Sequence, residues 1–175
     1  MEFAVLLRGI NVGGHNRIKM AELRALLEAE GLANVSTYIQ SGNVRVSSSK
    51  GAAAVRDAVI AALLKHGIKN PQMAVVAWSD LEKLVAAKPY EGHGDEWRKL
   101  ALFTSSPLAS PQELVGEHGL MRVISARPDV YFTLSLKEAT PGMKGIDNLE
   151  KVHRIPVTGR FWNVIEDWVA LPPQG

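Results

Sequence analysis

Apolar and polar positions along the chain alternate between two periods. Phe3-Ala4-Val5-Leu6-Leu7 is apolar on both parities and too short for a helix, the pattern of a central strand covered on two faces. Met20, Leu23, Leu26 and Leu27 then recur at helical spacing, and Gly31-Leu32 supplies a helix-terminating glycine with its apolar partner. Val35 to Ile39 and Val44 to Val46 flank Gln40-Ser41-Gly42-Asn43 and read as a hairpin. Val55, Val59, Ala62 and Leu63 mark a second helix closed by Gly67-Ile68, and Gln72 to Trp78 reads as a fourth strand. The order β-α-β-β-α-β is that of the split βαβ, or ferredoxin-like, unit. A short helix from Ser79 or Asp80 ends before Pro89.

Beyond the polar stretch Glu91 to Glu96, the second half repeats the first in weaker form. Leu100 to Thr104 is expected as a strand, and Ser110-Pro111-Gln112-Glu113 as a capping box opening a helix to Gly119. Strands follow at Leu120 to Ser125 and Val130 to Leu136, then a short helix around Ile146, Leu149 and Val152. Residues Ile155 to Arg160 read as an approach to a last helix, with Phe161, Val164, Ile165 and Trp168 as its core face. Trp162 falls off that stripe, where an indole is expected to pack against a neighbouring domain. Gly31 to Val35 matches Gly119 to Val123, and Val44 to Val46 matches Phe132 to Leu134, at a common offset of 88. The expected architecture is α+β: two tandem ferredoxin-like (α-β plait) domains, residues 1–90 and 91–175, the second degenerate and followed by a C-terminal helix.

Composition narrows the classes. The 175 residues hold no cysteine, which removes disulfides, thiolate metal sites and a cysteine nucleophile. The five histidines have no metal-ligand spacing, so no metal is expected, and no cofactor is either. The N-terminus lacks the basic start of a signal peptide and no apolar run approaches a membrane span, so a cytoplasmic location and no membrane partner are expected. Net charge is only +2, but residues 1–90 carry 11 Lys/Arg against 7 Asp/Glu, while residues 91–175 carry 9 against 11. The first half is the better partner for an anion.

Candidate chemistry concentrates between the first strand and first helix, at Leu7-Arg8-Gly9-Ile10-Asn11-Val12-Gly13-Gly14-His15-Asn16-Arg17-Ile18-Lys19. Glycines let backbone N–H groups approach a ligand, and a helix start leaves donors unpaired at the positive end of its dipole. The stretch is not a P-loop, because His15-Asn16 stand where Lys and Ser or Thr belong, and glycines at 9, 13 and 14 miss the dinucleotide fingerprint. The strand directions place the end of the first strand and the hairpin turn on one rim. In this reading Arg8 pairs with the anion, the Gly13 and Gly14 amides cradle it, Asn11, Asn16, Gln40, Ser41 and Asn43 orient it, and Arg17 and Lys19 add charge.

The stretches Leu6 to Gly14, Lys19 to Leu23 and Thr37 to Val44 resemble the signatures of a bacterial family catalogued as a domain of unknown function, numbered 1697. Near the end the family pattern approximates Thr-Thr-Arg-Asn-Trp-Asn-Thr-Val, against Thr158-Gly159-Arg160-Phe161-Trp162-Asn163-Val164-Ile165 here. The resemblance implies two tandem α-β plaits and points to the glycine loop and the Gln-Ser-Gly-Asn turn; it implies no activity. The leading expectation is therefore binding of a small anionic, phosphate- or carboxylate-bearing ligand, with enzymatic activity left open because no catalytic constellation is present. Two alternatives stand beside it. One is single-stranded nucleic-acid binding on a sheet face carrying Leu6, Arg8, Tyr38, Gln40, Asn43 and Arg45, which lacks the stacking aromatics of an RNA recognition motif. The other is a non-catalytic interaction module using apolar sheet faces.

Overall fold

The computed structural model describes residues 1–14, 16–138, 150–151, 154 and 156–172. It is an α+β structure of two antiparallel sheets and four described α-helices. Two compact units are formed by Met1–Lys83 with Leu171 and Pro172, and by Leu84–Ala170.

In the first unit, β1 (Glu2–Leu7), α1 (Met20–Ala29), β2 (Ala33–Tyr38), β3 (Asn43–Ser47), α2 (Ala52–His66) and β4 (Met73–Ala77) follow one another as the pattern predicts. The sheet order is β2-β3-β1-β4, with β1 antiparallel to both neighbours. The doubly apolar β1 is central and buried from Phe3 to Leu7. Phe3, Val5 and Leu7 join Leu23 and Leu27 of α1 and Val55, Val59 and Leu63 of α2 in one core. Burying each such aliphatic side chain contributes about 1.5–3 kcal/mol. Both helices end as the glycine-aliphatic pairs require: Leu32 N donates to Leu27 O and Ile68 N to Leu63 O, with Gly31 and Gly67 at positive φ. Trp78, expected at the end of β4, instead begins α3 (Trp78–Ala86), where its indole N–H donates to Glu82 one turn on.

The second unit comprises β5 (Trp97–Thr104), a 3-10 turn (Pro111–Leu114), β6 (Gly116–His118), β7 (Met121–Ala126), β8 (Val130–Leu136), β9 (Val157–Phe161) and α4 (Trp162–Ala170). Its order is β6-β7-β8-β5-β9, so β7-β8-β5-β9 repeats the order β2-β3-β1-β4 with β6 added at the edge. Two expectations are corrected here. The helix expected from the capping box to Gly119 is a four-residue 3-10 turn followed by β6, because Gly116 takes a φ of 145° that no helix accommodates and only Leu114 of the turn is buried. Residues before the last helix form β9, paired with β5 from Leu100–Phe161 to Thr104–Val157, which places Phe161 in a strand. Trp162 is buried, 5.6 Å from the rings of both Tyr90 and Phe132. The short helix expected around Ile146 to Val152 lies outside the described residues except at 150–151.

The offset of 88 holds for Val35 and Val123, which both face the cores of their units. It fails for Val44 and Phe132. Val44 opposes Val5 on the helix-covered face, whereas Phe132 opposes Ala101 on the face away from Leu100 and Leu102, which belong to the core beside the 3-10 turn. A shift of one residue changes the face of a strand. The stretch Glu91 to Glu96 lies inside the second unit, where Tyr90 is anchored: its hydroxyl donates to Leu100 O and accepts from Thr133 N.

Candidate functional site

The end of β1, the start of α1 and the β2–β3 turn meet at one rim, and the join is made by backbone. Leu7 N donates to Gly42 O at 2.8 Å, and Gly42 is packed so closely that an added Cβ would lie 2.7 Å from Leu7 Cβ. The turn is entered through Ile39 at φ 50° and left through Gly42 at φ 79°. A β-branched residue in the left-handed region is strained, and Ile39 also keeps 47% of its surface exposed.

Asn11 fastens the three elements together. Its own φ is 57°, its Oδ1 accepts from Ile18 N at 2.9 Å, and its Nδ2 donates to Ile18 O at 2.9 Å and to Gln40 O at 3.1 Å. Asn16 adds a second staple, Nδ2 donating to Gly9 O at 3.2 Å. Inside this frame opens a cleft of about 690 Å³ lined by Asn11, Gly14, Arg17, Ile18, Lys19, Met20, Glu22 and Gln40. The Arg17 guanidinium lies over Gly14, where a Cβ would stand 3.7 Å from Nη2. Lys19 is the N-cap residue of α1, in extended conformation and with no side-chain hydrogen bond to the helix, so the first turn of α1 begins in the cleft without a side-chain cap.

Of the ten residues singled out from the sequence, Asn11, Gly14, Arg17, Lys19 and Gln40 line the cleft together. The others take different places. Arg8 has Nη1 3.3 Å from Gln72 Oε1, and its backbone N–H donates to Gln72 O, on the β4 side of β1. Asn43 is fully buried and its amide donates to Tyr38 O and Ser41 Oγ, which closes the turn from within. Ser41 accepts that bond, Gly13 is an exposed loop glycine at φ 61°, and Asn16 is the staple already described.

Residues 1–118 match a family described as "Protein of unknown function (DUF1697)". The chain belongs to the DUF1697 family. Its structure is similar to "conserved bacterial protein SP0830 from Streptococcus pneumoniae", with 24% identity, a TM-score of 0.70 and 96% of each chain covered. That likeness shows a shared fold. No curated protein matches the chain.

The DUF1697 match contains the whole rim, and four residues there escaped the sequence reading. Glu22 brings a negative charge into the cleft, and Met20 and Ile18 give it an apolar side. Glu22 stood in the Lys19 to Leu23 signature, three residues past Lys19, a spacing that puts both at the same helix end. His66, the last residue of α2, reaches Arg17 O and the Glu22 carboxylate; nothing local in the sequence links it to the loop. The pairing of Leu7 with Met73 carries Gln72 to Arg8, a consequence of topology rather than of motif.

The face considered for nucleic acid is closed at three of its six residues. Leu6 and Asn43 are fully buried, and Arg45 is held by a bidentate pair with Glu2 and stacks 3.9 Å from the Trp78 ring. Among the described residues no group of His, Asp or Glu is arranged to hold a metal ion, and no helix is long and apolar enough to cross a membrane.

Proposed function

We propose that the chain binds a small anionic ligand, phosphate- or carboxylate-bearing, in the cleft at the start of α1. The observation that carries this reading is the Asn11 fastening, which fixes a glycine loop, an uncapped helix start and two cationic side chains around one open space. Arg17 offers a fork of donors to two oxygens of the ligand, Lys19 a point charge, and the first-turn amides of α1 the positive end of the helix dipole. The Gln40 side chain, carried on the turn, supplies an adaptable donor and acceptor. Asn11 spends its amide on the frame and is assigned no ligand contact.

We further read both units as α-β plaits, since the second sheet repeats the strand order of the first. The ligand is taken to be a cytoplasmic one, in keeping with a chain free of cysteine.

A thermal-shift screen of sulfate, phosphate, nucleotides and sugar phosphates tests the reading. A ligand at one hundred times its Kd adds about 2.7 kcal/mol to native stability, which such an assay detects. Stabilisation by an anion that disappears in Arg17→Ala supports the proposal, and the absence of any stabilising anion removes it.

A further inference from the structure

His66 ends α2, where the unpaired carbonyls of the last turn favour a cation. Its Nε2 lies 3.1 Å from Arg17 O and its Nδ1 3.1 Å from Glu22 Oε1. A carbonyl and a carboxylate only accept hydrogen bonds, so both ring nitrogens must carry protons for both contacts to exist. The neutral ring has one N–H and one lone pair, and the lone pair set against either acceptor breaks that contact. The arrangement is therefore complete only in the imidazolium form.

Both anchor points belong to the cleft wall, since Arg17 and Glu22 line it. We propose that protonated His66 is the positioning residue of the cleft, pinning the backbone of Arg17 and holding the Glu22 carboxylate aside, and that anion binding is thereby regulated by pH. Loss of the proton frees Glu22 within reach of the same cations that attract the ligand, and a carboxylate competes with an anion for them. Of the neighbouring charges, the Lys65 ammonium, next to His66 on α2, is paired with Glu30 of α1, the Arg17 guanidinium lies over Gly14, and Lys19 stands in the cleft wall with Arg17 and Glu22. The regulatory consequence rests on the anion-binding reading above, whereas the pinning itself does not.

Two measurements on the full chain keep these apart. In an NMR titration scanned from about pH 5 to 8, the backbone amides of Ile18, Met20 and Glu22 should follow the His66 ring with one midpoint. His66→Gln, which retains a single donor group, should abolish that titration of the amides; amides that do not titrate, or that titrate unchanged in His66→Gln, overturn the pinning. Sulfate, whose charge is constant over this range, is the binding probe. Its affinity should fall several-fold as pH rises through the same midpoint, and the fall should vanish in His66→Gln and in Glu22→Gln. Full pH dependence retained in Glu22→Gln overturns the part assigned to that carboxylate. No sulfate binding at any pH counts against the anion reading alone, and the amide titration then decides the pinning.

Discussion

Asn11 and Gln40, 29 residues apart, are joined by a hydrogen bond from the Asn11 amide to the Gln40 carbonyl at 3.1 Å. The same amide group grips Ile18 from both sides, through its N–H and its carbonyl. One polar side chain in a left-handed backbone thus sets the distance between the glycine loop, α1 and the hairpin turn. Asn11→Ala removes three hydrogen bonds and places a Cβ-bearing aliphatic residue at positive φ. A loss of about 1–3 kcal/mol is expected in urea denaturation. Asn11→Gly relieves the backbone and should recover only the conformational share of that loss.

The turn should be sensitive at Gly42 and tolerant at Gly13. Both have positive φ, but a Cβ at Gly42 meets Leu7 at 2.7 Å and one at Gly13 meets nothing within 4 Å. Gly13→Ala is expected to cost about 1–2 kcal/mol from backbone conformation alone. Gly42→Ala should exceed it by about 1–3 kcal/mol for the forced displacement of Leu7, measured by the shift in denaturation midpoint.

Ile39 is expected to be a site of stabilisation. Half-exposed and held at φ 50°, it gains little from burial and carries a strained backbone. Asparagine tolerates that region. Ile39→Asn should raise stability by about 1 kcal/mol in the same assay. If the variant also weakens anion binding, the strained residue contributes to the site as well as to the turn.

Much of the first unit could be read from the chain, because each element there carries a local signal. The doubly apolar Phe3 to Leu7, the glycines after each helix and the Gln40 to Asn43 turn are short-range features, and strand handedness then brings the two loops together. The candidate site was legible as a place. Asn11, Gly14, Arg17, Lys19 and Gln40 were legible as its lining, whereas the direction of Arg8 depends on Gln72 across the sheet and the burial of Asn43 on how the turn folds over Leu7. The second unit is harder because tertiary pairing overrides local pattern. Thr158-Gly159-Arg160 looks like a loop, yet it is buried strand beside β5. The capping box at Ser110 opens a turn that Gly116 ends before a helix can grow.

The buried phenols set an alkaline limit. Burial raises the pKa of Tyr90 and Tyr131 well above the ordinary phenol value, while it lowers that of Arg160 to about 10. The unfolded chain releases the two phenolic protons near pH 10 and the folded one does not, so stability falls as pH climbs past that value. Arg160 acts in the opposite sense, because burial disfavours its charged form in the folded chain and that penalty is relieved as pH rises. Two tyrosines against one arginine give a net decline, to be followed by denaturant titrations between about pH 8 and 11. Tyr90→Phe should flatten the decline while lowering stability at neutral pH, through the loss of its bonds to Leu100 and Thr133.

The assignment of cations separates Arg17 from Arg8. Arg17→Ala should weaken the best anion about tenfold or more, the worth of one charge-assisted hydrogen bond, while Arg8→Ala leaves affinity nearly unchanged. Arg17→Ala and Gln40→Ala together should depart from additivity by about 0.5–3 kcal/mol if loop and turn grip one ligand. Calorimetric titration of the unmutated chain and the four variants checks both statements.

The central claim, an anion held where the loop, α1 and the turn meet, is tested most directly by mapping amide chemical shifts as sulfate is titrated into the isotope-labelled chain. The account requires saturable shifts at Gly14, Arg17, Lys19, Met20 and Gln40, with the second unit silent. Shifts that stay linear with concentration, or that gather away from this rim, would contradict it.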